Sequence, residues 1–110
     1  MTAKDVYETA LALLGYEDNP EFQRRAVPVT NKVYFDLYQR CSDGKDFQPI
    51  RSLSEELKLP QNVALTVMPS GVAELIALSE GDGELQQYFA LDYDRARAKL
   101  AKIDHIDNVI

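Results

Sequence analysis

The 110-residue chain predicts an all-α fold: a compact bundle of four to five helices, with proline kinks in helices two and four. Three observations point there. Apolar residues recur at steps of three and four, the spacing of one helix face. Residues that favour helix ends, Thr2, Gly15, Asn19 and Asp82, stand at the edges of the periodic stretches. The breaks between stretches are short, so sequential helices are expected to pack as antiparallel neighbours. This length allows one modest core. A single domain is expected over 1–102, with 103–110 as an extended or disordered tail.

Helix one is expected over 3–14. Thr2 and Asp5 form a capping box with Asp in place of the usual Glu or Gln. Val6, Ala10, Leu13 and Leu14 give the apolar stripe, and Gly15 supplies the stop. Helix two opens on Asn19 and Pro20 and ends near Arg40. Its stripe is Phe22, Ala26, Val29, Val33, Leu37 and Cys41, and the register runs straight through Pro28. A kinked but continuous helix follows. The stretch CSDGKDFQP reads as loop, with an Asp-Gly hairpin as the alternative, and Ser52 or Ser54 is placed to cap a short helix over SEEL.

Helix four is expected over 61–79. Leu65, Met68, Val72 and Ile76 make one stripe, and Val63, Val67, Leu75 and Leu78 another. A helix apolar on nearly every side is one buried by its neighbours. Its register continues past Pro69; the alternative is that each of the two prolines opens a new helix. Helix five starts after Gly81-Asp82-Gly83, with Asp82 as cap and Leu85, Tyr88, Phe89, Asp92, Ala96, Leu100 and Ile103 at helical spacing. An interior proline costs about 3 kcal/mol. Pro28 frees the carbonyl of Arg24 and Pro69 that of Leu65, and Thr30, Thr66 and Ser70 lie within a turn, placed to compensate.

Charge and composition exclude several function classes. No run approaches the ~18 consecutive apolar residues of a membrane span. The amino terminus lacks a basic n-region, so no cleaved signal peptide is expected. Cys41 is the only cysteine, which rules out an internal disulfide and fits a reducing compartment. A net charge of −6 argues against nucleic-acid binding. Residues 80–94 hold five carboxylates and no base, and RARAKLAK then carries four positive charges. Acids early and bases late on one helix match its dipole, and this accounts for the pattern without a partner.

Little chemistry can be assembled. His105, the only histidine, lies in the tail between Asp104 and Asp107, where catalytic rigidity is lacking. Cys41 has no companion at ligand spacing and sits on the apolar stripe, which makes it a core residue. Neither a phosphate loop nor a dinucleotide fingerprint is present. Glu55-Glu56 fall at a helix start, where acids are common. SLSEELKLPQNVALTV has the outline of a helix-turn-helix, yet the would-be recognition helix contains no Lys or Arg, so base readout is not expected. No catalytic, cofactor-binding or metal-ligating set is therefore expected. Tyr34, Tyr38, Tyr88 and Phe89 are candidates for a protein interface, since tyrosine suits half-buried surface, although core edges would also explain them.

The ordered segments KDVYETALALLG, RRAVPVTNKVYFDLY, SLSEELKLP, VALTVMPSGVAELIAL and GDGELQQYFALDYDRARAKL resemble the small helical head–tail connector, or neck, proteins of tailed phages and prophages. The likeness covers nearly the whole chain. Its most distinctive parts are the AVP of helix two, the L-x-x-x-L-x-L-P turn, the M-P-x-G-x-A of helix four and the closing helix with its tyrosines; the glycine-rich finish of such proteins is missing. The resemblance implies a structural protein of the virion, made in the bacterial host cytoplasm, and no enzyme. It implies a homo-oligomeric ring that contacts the portal protein on one side and the tail or next adaptor on the other. Arg95, Arg97, Ile106 and Ile110 join the tyrosines and Phe89 as candidate interface residues, and an acidic lining tolerates DNA sliding past. The alternative is a small cytoplasmic helical adaptor or regulator that binds one protein partner.

Overall fold

Short polar side chains at the helix ends decide where the helices begin. In a computed structural model of the chain, which describes residues 1–42 and 44–109 and side chains through Leu100, α1 spans Ala3–Leu14. Thr2 Oγ1 accepts the Asp5 N–H at 3.2 Å and Asp5 Oδ2 accepts the Thr2 N–H at 3.0 Å, completing the capping box. Gly15, at φ 72°, closes the helix in the left-handed region. Asn19 caps α2, Pro20–Cys41, by accepting the Phe22 N–H at 2.9 Å.

The expected short helix over SEEL is a turn. Its backbone is committed elsewhere: the carbonyls of Leu53 and Glu55 accept the N–H groups of Lys4 and Ala3, at 2.7 and 3.0 Å. Those are first-turn donors of α1 that no intrahelical acceptor can reach. Glu55 also folds back to take the N–H groups of Arg51 and Ser52. The alternative of an Asp-Gly hairpin falls on residue 43, which lies outside the described residues; among the described residues the single β-bridge is Thr2 with Glu56. Side chains of α2 pin the rest of the connection. Asn31 accepts the Ile50 N–H at 2.8 Å and donates to the Ile50 carbonyl at 2.9 Å, while Tyr34 Oη accepts the Lys58 N–H.

The two prolines are accommodated differently. Pro28 stays inside α2. It and Arg24 are both exposed, so the carbonyl it deprives of a donor belongs to the solvent side, where water can satisfy it. The stretch 61–79 divides instead into α3, Gln61–Thr66, and α4, Met68–Ser79, with Val67 between them. Pro69 falls in the first turn of α4, where N–H groups have no intrahelical acceptor in any case. The polar neighbours do not compensate as expected. Thr66 Oγ1 donates to the Asn62 carbonyl, Ser70 Oγ to Asp92, and Thr30 Oγ1 has no hydrogen-bond partner among the described residues.

The core gathers on α4, against which α1, α2, α3 and α5 all pack; α1 touches α2 only sparsely. Val6, Tyr7, Leu37, Met68 and Val72 are its largest inaccessible apolar members along with Tyr34. The 61–79 stretch is long and apolar enough in composition to cross a membrane, and 61% of it is buried inside the fold, where its apolar surface serves the core. Some stripe positions face outward: Leu13, Leu65 and Leu78 are half exposed or more, and Leu11 takes the inward place in α1. Cys41, expected in the core, is exposed at the last turn of α2.

Asp82 accepts the Leu85 N–H and opens α5, Gly83–Val109, which passes the boundary drawn at 102. Residue 110 and the side chains of 101–109 lie outside the described residues, and with them the expectations for His105, Ile106 and Ile110. Thr30 offers a direct test of core energetics. A fully buried hydroxyl without a partner carries a desolvation penalty, so Thr30→Val is expected to raise stability by about 1 kcal/mol, measured by urea unfolding.

Candidate functional site

Among the described residues, side chains with functional potential gather in two clefts and on two aromatic surfaces. The first cleft, about 360 Å³, lies where α2, α4 and α5 meet and is lined by Lys32, Asp36, Glu74, Tyr93 and Arg97 among others. Its centre is a carboxylate with two donors. Tyr93 Oη donates to Asp36 Oδ2 at 2.6 Å and Arg97 Nη1 to the same oxygen at 3.0 Å. The Arg97 guanidinium also lies over the Tyr93 ring, 5.6 Å from its centroid. The three side chains come together because Gly71 lets α5 approach α4: a Cβ there would meet the Tyr93 ring and a Val33 methyl at 2.8 Å.

Electrostatics makes this cluster a tie more than a proton carrier. Burial works against the Asp36 charge, but the hydrogen bonds from Tyr93 and Arg97, with the Arg97 and Arg40 charges, outweigh it and hold the carboxyl below the usual aspartate range. Burial, then the bond to Asp36, pushes the Tyr93 hydroxyl well above its ordinary value. Arg97 is raised, chiefly by its bond to Asp36. A depressed carboxylate is a poor base at neutral pH, and an elevated phenol a poor acid. Further ties join α4 to α5, from Ser70 to Asp92 and from Gln86 to Glu74.

The second cleft, about 350 Å³, is built the same way on α1 and the entry to α2. Tyr7 Oη donates to Asp18 Oδ1 at 2.6 Å and Gln23 Nε2 to Asp18 Oδ2 at 2.9 Å. Burial, then Asp18, raises Tyr7, while Asp18 is lowered by the bonds from Gln23 and Tyr7. Among the described residues no three His, Cys, Asp or Glu side chains converge as metal ligands.

The candidate interface residues separate into two groups. Tyr34 and Phe89 are buried, at 2% and 5% exposure, so their rings serve the chain's own core. Arg97 is engaged by Asp36 within the chain. Tyr38 is half-buried. Its ring and those of Tyr34 and Phe35 meet Phe47 edge-on, with centroids 5.0 to 5.4 Å apart, and Phe35 is 44% exposed. Tyr88, 65% exposed, and Arg95 stand outward on α5, and Leu91, which sequence reasoning missed, stands with them at 52%. Its signal was the step of three from Tyr88. Tyr93 and Asp36 were missed as well; Tyr93 lies four residues after Phe89 and three before Ala96, a helical step that marks the inner face.

No protein-family model, curated protein or solved structure matches this chain.

Proposed function

We propose that the chain is a structural subunit that acts by assembly, as a head–tail connector of a tailed phage or prophage. Copies close into a ring between the portal protein and the tail or next adaptor. The observation that carries the reading is where the side chains are used. The close polar clusters tie helices together, while an aromatic surface of Phe35, Tyr38 and Phe47 stays at the outside, with Phe35 44% exposed. The resemblance of the sequence pattern to that of connectors supports the particular assembly. A ring needs a head-to-tail interface that closes on itself. The Phe35, Tyr38 and Phe47 surface is one half of it in this reading. Bends at Pro28 and near Pro69 set the angle at which the helices meet the neighbour. Net charge −6 suits a channel through which DNA slides without sticking.

Electron microscopy of the concentrated protein, alone and with a purified portal protein, tests the assignment. Closed rings or portal-bound rings are expected, and Phe35→Ser is expected to weaken their formation. A species that never closes into rings and does not bind portal overturns it, and a one-to-one complex with some other protein would favour the adaptor reading.

A further inference from the structure

α5 carries a second stripe on the side away from the core. Its inner face holds Phe89, Tyr93, Ala96 and Leu100. On the outer face Glu84, Tyr88, Leu91, Arg95 and Ala98 follow one another at steps of four, three, four and three. That is the spacing of a coiled-coil seam, in which one helix docks on another. All five positions are exposed. Two apolar side chains occupy the middle, an acid stands at the amino-terminal end and a base at the carboxy-terminal end. Among the described residues neither Glu84 nor Arg95 makes an ion pair.

We propose that this stripe docks on the same stripe of a second copy, antiparallel, about a two-fold axis between residues 89 and 90. Glu84 lies as far before that midpoint as Arg95 lies after it, and Tyr88 as far before as Leu91 after. Antiparallel pairing therefore sets each Glu84 against the other copy's Arg95, twice per dimer, and each Tyr88 against the other copy's Leu91. Parallel pairing would place Glu84 against Glu84 and Arg95 against Arg95, and like charges reject it. The remaining acids near the seam are occupied inside the subunit: Asp92 accepts from Ser70, and Asp94 pairs with Arg97 at 3.9 Å. The occupant is thus another copy of this chain, in an isologous contact. A single helix pair makes a small interface of the transient kind. This contact is independent of the head-to-tail one proposed above and lies on a different helix, so either can fail alone.

Sedimentation equilibrium of the full chain, from about 10 µM to about 1 mM, a range suited to a transient contact, reads the pairing. Wild type is expected to move toward twice the monomer mass. Glu84→Lys and Arg95→Glu are each expected to weaken association about tenfold, since two attractive pairs become repulsive. An equimolar mixture of the two variants is expected to recover near wild-type association, because every reversed charge then meets its opposite. Leu91→Glu is expected to abolish pairing with helical circular dichroism unchanged. The proposal is overturned if wild type stays monomeric throughout, if the charge reversals associate like wild type, or if mixing fails to rescue. Ring formation by Glu84→Lys with portal present, alongside loss of its dimer, separates this contact from the connector interface.

Discussion

Replacing Tyr93 by alanine is expected to lower the stability of the fold by about 3–5 kcal/mol, the usual cost of deleting a buried aromatic ring. Tyr93→Phe keeps the ring and removes only the donor to Asp36, for an expected loss of about 1.5 kcal/mol. That is the low end for a hydrogen bond to a charged group, because Asp36 is still 35% exposed and water can replace the phenol. Urea unfolding at neutral pH separates the two values.

The same pair gives a pH signature. Asp36 is held below its ordinary value of 3.8, so its contribution is complete above that pH and disappears as pH falls through the lower, folded value. Tyr93 is held above its ordinary value of 10.0, so its contribution is complete below pH 10 and declines as pH rises further. Tyr93→Phe should therefore move acid unfolding to higher pH and flatten the alkaline decline. Tyr7, raised in the same way, keeps part of that decline. Unchanged acid and alkaline limbs would show that the tie contributes nothing.

Gly71→Val is expected to cost about 3 kcal/mol, at the upper end of the overpacking range. The atoms in the way are a ring anchored at its hydroxyl by Asp36 and a methyl of Val33, which is only 4% exposed, so neither yields easily. Gly71→Ala meets the same atoms but gains about 1 kcal/mol of helix propensity, for a net loss of about 1 kcal/mol. Val33→Ala in the Gly71→Ala background is expected to recover part of the loss. If Gly71→Ala were stabilising, the close approach of α5 would not depend on the missing side chain.

The helix starts were legible because their chemistry is local. Thr2 with Asp5, Asn19 with Pro20, and Asp82 each act within one turn, and each caps where sequence places it. The SEEL turn was not legible, since its carbonyls answer donors in α1 some fifty residues away. Cys41 and Leu13 show a different limit. Helical spacing gives a face, and packing decides how wide that face is; both side chains fall beyond its edge. The break at Val67 was half visible. Apolar register survives a one-residue interruption, so periodicity alone could not distinguish a proline inside one helix from a proline beginning the next. The Asp36–Tyr93–Arg97 cluster joins residues 57 and 61 positions apart, and no local rule couples them.

The central place of α4 bears on how the chain comes to be folded at all. As the polypeptide leaves the ribosome, α1 and α2 emerge first and touch each other little; residues 50–58 join them, but the hub against which both pack arrives only with residues 68–79. Completion of the core waits for the second half of synthesis. A nascent chain halted near residue 60 would hold helices without a hub, and would be a natural client for a chaperone that shields greasy surface.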